Sequence, residues 1–553
     1  MSKSLAKAAL RFGLRALLLI PVFAVGETCT ELTEVPHDAL TPSTAFHTAQ
    51  EVLAGLAGVY AQLRSVEANS EFATMEELTT DVLIVPTRGS DWYDNGQWLD
   101  MHRQTWRANS AGALGFLTGS WNDAFSGVAK ANLLISVVRN SSAANKDTIV
   151  AELRTLRAWY YYVLQDMFGG VPLVTSDTLK QYSRSKRTEI FAFIEKELSE
   201  VQANLPEKWP SSSYGRVTKG VANAILASLY LNAGVFNKDC GPAACTTINT
   251  SSYNSCNVAV NLGSKNGCTE AIAAANAVIN SGGTNRTYQL NSNWFKNFST
   301  DNKGSPENVF VVVHSNSPQS IGGNWPMRTL HYNQLSTGDG GPWNGFATTA
   351  EVYNQFGSDD RGGMWLVGQA KSFENGQNVN DRNGKPLIFT ASIPDATKAD
   401  EAHGVRFNKF APQPSPPHGS AQPNDFTFFR LAEMYLIRAE AKNEMGDAVG
   451  ALTDLNTIHA PHNGGANVVA AGQAAIRDAI YKERLLEFAG EGKRRTDMIR
   501  YGRFLNWTEA SAFGVCGDDP TKGCPARAGY RILFPLSINV MGSNPLLVQN
   551  SGY

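Results

Sequence analysis

The chain has 553 residues, with 48 Lys and Arg against 50 Asp and Glu and a formal net charge of −2. No basic excess is available to neutralise a phosphate backbone, which excludes a dedicated nucleic-acid binder of this size. A hydrophobic fraction of 42%, with 49 Gly and 24 Pro, suits a large folded core and excludes a disordered or collagen-like chain.

Lys3, Lys7, Arg11 and Arg15 lead into an uncharged run from Ala16 to Val25. That run is too short for the ~20 apolar residues of a spanning helix. A basic head followed by a short apolar run reads as a secretory signal, placed at residues 1–28. Two cleavage positions compete. One follows Gly26 in Ala24-Val25-Gly26; the other precedes Cys29 as the acceptor of a lipid anchor, although Glu27 and Thr28 depart from the usual small-residue pattern. Cysteine number favours the second. Seven cysteines are odd, and in an oxidising compartment the one left over needs a separate role. Cys29 is therefore expected to carry lipid. The others are Cys240, Cys245, Cys256, Cys268, Cys516 and Cys524. Local pairing is favoured: Cys516 with Cys524, and the other four among themselves. None has zinc spacing.

Helical periodicity then dominates. Apolar residues recur at i, i+3 and i+4 in Thr44 to Ala68, Trp121 to Val138, Thr148 to Phe168, Thr188 to Leu205, Lys219 to Ala233 and Glu270 to Ser281. The pattern returns in Phe429 to Met445, Ala448 to Ile458 and Ala474 to Tyr501. In Arg430 to Ile458, Gly446-Asp447 breaks a helix pair, with Asp447 as N-cap of the second. Small residues at the crossing follow the logic of tetratricopeptide (TPR) units; an ordinary helical bundle is the alternative. The fold class expected is mainly α, a TPR-like scaffold of helical hairpins at about 40–235, 269–282 and 429–502.

Residues 234–268, 283–345 and 357–428 are rich in Gly, Asn, Ser and Pro, with short β-like pieces such as Val309 to His314. They also hold Trp294, Trp325, Tyr332, Trp343 and Trp365, which disordered segments lack. They are read as ordered excursions from the scaffold. Trp159, Tyr160, Tyr161 and Tyr162 are consecutive, so they surround their helix and belong to scaffold rather than to one binding face. In Glu483 to Arg500, spacing suggests pairs of Glu491 with Arg494 or Arg495 and of Asp497 with Arg500. Glu483, Glu487 and Glu491 repeat every four residues and need cations from another element if buried.

A sugar offers apolar C–H faces and a rim of hydroxyls, so its binder needs open aromatic rings edged by Asp, Asn, Gln or Arg. Two loops fit. Arg88 to Trp106 carries Asp91, Trp92, Tyr93, Asp94, Asn95, Gln97 and Trp98; Ile321 to Phe346 carries Trp325, Arg328, His331, Tyr332, Asn333, Gln334, Asp339, Trp343 and Asn344. The candidate contacts are Asp91, Trp92, Tyr93, Asn95, Trp98, Trp325, Arg328, Tyr332, Trp343 and Asn344. Trp106 and Trp121 are assigned to helix packing, while Trp325 and Trp343 are equally suited to binding or to plugging a loop core. Asp91/Asp94 and Asp359/Asp360 have the look of a glycosidase carboxylate pair, but adjacent acids in Gly- and Asn-rich loops are usually turn-formers. No GxSxG, HExxH, P-loop or EF-hand pattern is present. No cofactor or metal is expected, although loop Asp and Asn are donor types that calcium takes.

Several segments together resemble the SusD/RagB family of outer-membrane nutrient-binding lipoproteins. They are Thr28-Cys29 through Thr44-Ala45-Phe46, ELRTLRAWYYYVLQDMFGGVPLVT (Glu152 to Thr175), GRVTKGVANAILASLYLNAG (Gly215 to Gly234), the pair at Phe429 to Asp454, ERLLEFAGEGKRRTDMIRYG (Glu483 to Gly502) and the closing NPLLVQNSGY (Asn544 to Tyr553). The resemblance implies one SusD-like domain over 29–553, with ligand-binding loops at about 80–120 and 283–428. It implies a non-catalytic protein, lipid-anchored and surface-exposed on the outer membrane. That protein would bind oligosaccharide and deliver it to a SusC-like TonB-dependent transporter. Peptide binding is the alternative within the family, and a glycoside hydrolase a more distant one.

Overall fold

The computed structural model describes residues 46, 48–67, 71–141, 145–178, 180–239, 248–261, 264–317, 321–413, 419–507 and 527–553. Cys29, Cys240, Cys245, Cys516 and Cys524, with the signal region, lie outside them. The first half is helical: α1 (Ala49–Glu67), α2 (Phe72–Leu78), α3 (Gln97–His102), α4 (Thr118–Arg139), α5 (Lys146–Phe168), α6 (Arg187–Glu200), α7 (Lys219–Leu231), α8 (Ala233–Phe236) and α9 (Gly267–Ile279). Two short helices, α10 (Trp325–Thr329) and α11 (Ala350–Tyr353), sit within the long irregular stretch that follows. The chain then returns to α12 (Leu431–Glu444), α13 (Ala448–His459), α14 (Gln473–Phe488), α15 (Arg494–Arg500) and α16 (Ile538–Ser543).

The scaffold is built around α5. Its consecutive Trp159, Tyr160, Tyr161 and Tyr162 are all buried. Each ring therefore meets a different neighbour. Tyr160 donates its hydroxyl to the Val59 carbonyl on α1 at 2.7 Å, Tyr161 donates to the Val174 carbonyl at 3.0 Å, and Tyr162 meets Ser228 of α7 at 2.8 Å. Buried hydroxyls are thus satisfied while the rings fill the core. Gly127 on α4 allows this closeness, since a Cβ there would lie 2.4 Å from the Tyr160 ring. α1, α4, α5 and α6 pack in succession, and α7, α9, α12 and α13 continue the series. Asp447 caps α13 as expected, accepting from the Gly450 amide at 2.8 Å.

Between α9 and α12 the chain leaves the scaffold for about 150 residues. The excursion is closed at its base by antiparallel strands Asn308–Val312 and Phe426–Arg430. This corrects the expected start of the helix at Phe429: Phe429 and Arg430 pair with Phe310 and Asn308, and α12 begins only at Leu431. A small three-stranded sheet of Ala347–Thr348, Val405–Phe407 and Trp365–Leu366, with Val405–Phe407 in the centre, ties the middle of the excursion to its later part. Cys256 and Cys268 are disulfide-bonded, a pairing within the expected local group of four.

The expected helix from Ala474 to Tyr501 is two helices. Gly490 and Gly492 break it with φ of 82° and 71°, values that favour glycine. The break turns Glu491 away from its own helix, and the pairing with Arg494 or Arg495 does not form. Glu491 instead meets Lys409 and Arg430. Arg494 pairs with Asp81 at 2.7 Å, and Arg495 with Glu76 at 3.0 Å and Asp166 at 2.9 Å. Asp497 and Arg500 do pair, at 2.8 Å. Glu483 and Glu487 share Arg361, a cation from the excursion, so the repeating acids are answered from another element. These pairs are buried, and removing one partner costs far more than at an exposed pair.

Candidate ligand-binding face

The two aromatic loops meet. Tyr332 donates its hydroxyl to Asp91 Oδ2 at 2.6 Å, and Trp92 donates its indole N–H to the Trp343 carbonyl at 2.7 Å. Residues 241 and 251 positions apart in sequence are therefore neighbours. The first loop is tightly wound. Arg88 and Asp91 exchange backbone hydrogen bonds at 2.9 and 3.1 Å, and Trp92, Asp94 and Asn95 follow with φ of 61°, 40° and 57°. Asn and Asp tolerate that region; a tryptophan there is strained and must be held by its surroundings. Trp92 is held: it lies against Trp98 at 5.1 Å and Phe346 at 5.9 Å between ring centroids. Gly345 makes room for it, since a Cβ there would come within 2.3 Å of the indole.

Two buried guanidiniums fix the backbone beneath. Arg88 donates to the carbonyls of Asn344 at 2.9 Å, Asp400 at 2.6 Å and His403 at 3.0 Å. Arg406 donates to the Asn344 side-chain oxygen at 3.0 Å and to the carbonyls of His403 at 2.7 Å and Glu401 at 2.6 Å. Irregular backbone has no ladder of its own, so its buried carbonyls need such donors. Burial brings Arg88 down to about 10, offset only in part by the charges of Tyr332, Asp400 and Glu401. Above the buried pair lies Arg382, bonded to Asp91 at 3.0 Å and to Glu401, its guanidinium 4.3 Å from the Tyr332 ring centroid. Partial burial opposes ionisation of Glu401, but the Arg382 amide and guanidinium together with His331 draw it down to about 2.

The sequence-predicted contacts separate into two sets. Tyr93 is exposed (57%), Asn95 is exposed, and Asp91, Trp92, Tyr332 and Trp343 are partly open. The other four are corrected. Trp98 is buried against Phe116 at 4.7 Å, with its indole N–H given to Asp94 at 2.8 Å. Trp325 plugs the loop core, stacked on Phe426 at 5.8 Å, and donates to the buried Glu67 on α1. Arg328 is spent on Asn324 at 2.7 Å and Thr74 at 3.2 Å. Asn344 is fully buried, a joint between Arg88 and Arg406. None of the four presents a side chain to a ligand; each holds the face from below. Trp121 of α4 is buried against Phe168 of α5, as expected, whereas Trp106 is buried against the C-terminal segment, with Phe534 at 4.9 Å and its indole N–H given to the Tyr553 hydroxyl at 2.7 Å.

Sequence reasoning missed Arg382, Arg406 and Glu401. They follow no period, and only their charge amid Gly and Asn marks them. Of the candidate acid pairs, Asp359 is tied to Arg361 at 2.7 Å and Asp360 to His462 at 2.7 Å. Burial resists ionisation of Asp359, yet Arg361 keeps it below the usual carboxylate range. Asp91 and Asp94 are engaged by Tyr332 and Trp98 respectively. Among the described residues no cluster of His, Cys, Asp or Glu is arranged to hold a metal, and no helix is long and apolar enough to cross a membrane.

The SusD family profile matches residues 265–553, and a second profile, described as starch-binding associating with outer membrane, matches 34–231. The chain belongs to the SusD family. SusD-like protein P25 of Formosa agariphila is 23% identical over 95% of this chain and 97% of its own length. The starch-binding protein SusD of Bacteroides thetaiotaomicron is 24% identical over 73% of this chain and 72% of its own. Among solved structures, a laminarin-binding SusD-like protein superposes with a TM-score of 0.69 at 22% identity, covering 92% of this chain and all of that one. Surface glycan-binding protein A of Bacteroides uniformis gives 0.67 at 20%, covering 91% and 99%. The SusD-like helical scaffold with irregular excursions is thereby established.

Proposed function

We propose that this SusD-family protein binds oligosaccharide non-catalytically at the cell surface and passes it to a SusC-like TonB-dependent transporter in the outer membrane. The observation that carries the reading is the meeting of the two loops. It leaves Tyr93 open in the loop that joins Tyr332 through Asp91 and Trp343 through Trp92, with Asn95 exposed in the same turn. Rings with apolar faces and an acceptor-rich rim are what a sugar needs. Relatives named for starch, laminarin and surface glycan binding support the same ligand class. A chain with no spanning helix among its described residues also needs a pore to make capture useful, and lipid on Cys29 would hold it at that pore.

A glycan array on the mature chain tests the ligand class, with retention expected and lost in Tyr93→Ala. Release of new reducing ends from any retained glycan would overturn the non-catalytic part. Cys29→Ser should move the protein to the soluble fraction, and purification in mild detergent should recover a large β-barrel with the wild type. Recovery of the lipoprotein alone, from cells expressing such a barrel, contradicts delivery.

A further inference from the structure

We propose that the face selects uncharged glycans and turns away polyanionic ones, a refinement that rests on the glycan-binding role above. A cation beside the rings is Arg382, 4.3 Å from the Tyr332 ring centroid, with about half its side chain exposed (49%). It is already engaged on both sides. Nη2 lies 3.0 Å from Asp91, Nε meets Glu401, and its own amide gives Glu401 a further hydrogen bond at 2.9 Å. A sulfate or uronate would have to displace two carboxylates that the fold holds in place. Arg88 and Arg406 are no substitute, because both are buried and donate to loop oxygens. Burial holds His331 below the usual imidazole range despite its 2.9 Å contact with Glu401, so it adds no positive charge at neutral pH.

The exposed surroundings have the opposite sign. Asp94 follows Tyr93 directly. Asp339 stands one residue before Gly340, whose carbonyl accepts from the Trp343 indole at 3.1 Å. Glu374 accepts from the Ser336 amide at 2.7 Å, and Asp381 follows Asn380, whose carbonyl accepts from Asn333 at 2.9 Å. Lys371 and Lys385 belong to the same stretch as Glu374 and Asp381. Chemistry adds to charge. A sugar hydroxyl donates well to a carboxylate, whereas the sulfate or carboxylate group of a charged sugar brings only acceptors to a rim rich in carboxylates. Like charges within a Debye length also repel, by an amount that salt reduces.

The test is affinity electrophoresis of the mature protein in gels of starch, laminarin, arabinoxylan and galactomannan, and in gels of polygalacturonate, alginate and carrageenan, each at low and high salt. Retardation is expected only from uncharged polymers and to the same extent at both salts. Chemical sulfation of whichever neutral polymer binds should weaken retention about tenfold at low salt, with partial recovery at high salt. Retardation by a polyanion that fades as salt rises overturns the selectivity and leaves glycan binding standing. So does a sulfation loss that salt leaves unchanged. Retardation by none of these polymers removes the glycan-binding reading itself.

Discussion

The charged network around α14 and α15 and the aromatic face use the same residue types to different ends. In the network, Arg430 meets Glu307, Glu487 and Glu491, and Arg361 meets Asp359, Glu483 and Glu487, all buried. Charge answers charge, and the groups sit on helices, on a strand or at an element's edge, as Glu307 does before its strand and Asp359 before a short helical turn. At the face, the buried arginines Arg88 and Arg406 bond to neutral oxygens of irregular backbone, and positive φ values gather at Trp92, Asp94, Asn95 and Asn344. The helices hold themselves and use ion pairs to dock. The loops cannot hold themselves, so arginine takes the place of a hydrogen-bonded ladder. It is there that Tyr93 is left open.

Replacing one arginine of each kind should break this comparison if it is wrong. Arg430→Met takes one cation from three buried carboxylates, leaving Glu487 to Arg361 and Glu491 to Lys409 but Glu307 without its ion pair, and is expected to cost about 3–5 kcal/mol, a large part of a typical folding free energy. Loss of the cooperative melt, or a fall of many degrees, is the readout. Arg88→Met removes only bonds to carbonyls, about 1.5–3 kcal/mol, and the loss should be local. Hydrogen exchange should quicken at 88–95 and 400–404 while α5 and α12 stay protected. Equal melting shifts for the two variants, or faster exchange in the helices of Arg88→Met, would show that the loops are part of the scaffold's own cooperative unit.

A smaller effect concerns pH. Glu76 and Asp166 are buried together, sharing Arg495 and the Thr496 hydroxyl, which lies 2.7 Å from one and 3.1 Å from the other. Burial and the neighbouring Asp166 raise Glu76 to about 8. A carboxyl raised on folding binds more protons native than unfolded. Its contribution is full below the ordinary carboxyl range and is lost as pH climbs from there to about 8. At about 1.4 kcal/mol per pKa unit, the loss is on the order of a few kcal/mol. Melting temperature should therefore decline across that window and level off above it, and Glu76→Gln should flatten the decline. A profile unchanged by Glu76→Gln would place the proton elsewhere.

How much of this was legible follows from the same contrast. The long helices carry period 3.6, and even the all-round aromatics of α5 could be assigned to core because four consecutive residues cannot share a face. α2 was invisible. All seven of its residues are buried, including Thr74, Glu76 and Glu77, so no polar side marks it. The break at Gly490 was visible only as composition, since its need arises from Phe407, whose ring a Cβ there would meet at 2.0 Å. At the face, aromatic and Asp/Asn clustering located the two loops. It did not separate Tyr93 from Trp98, or Trp343 from Trp325, because burial there depends on Glu67, Phe116 and Phe426, far away in sequence.

That separation gives the finest test. Tyr93 and Trp343 keep ring area free, whereas Trp92 gives much of its surface to Trp98, Phe346 and Gly345. At about 25 cal/mol per Å² and a contact of roughly 50–80 Å², an open ring contributes about 1–2 kcal/mol to a sugar. Ordering costs offset much of the sum, so affinity should fall in the micromolar to millimolar range. Tyr93→Ala and Trp343→Ala should each weaken retention roughly tenfold, following the same area estimate, with the melting temperature unchanged. Trp92→Ala should weaken it as much or more, but by a different route: faster exchange at 88–95 should accompany it, because the strained loop loses the packing that holds it. Titration of a retained glycan against all three variants, with exchange measured alongside, distinguishes ring from support. Full affinity in the Tyr93→Ala, Trp343→Ala double variant would move the site off this face altogether.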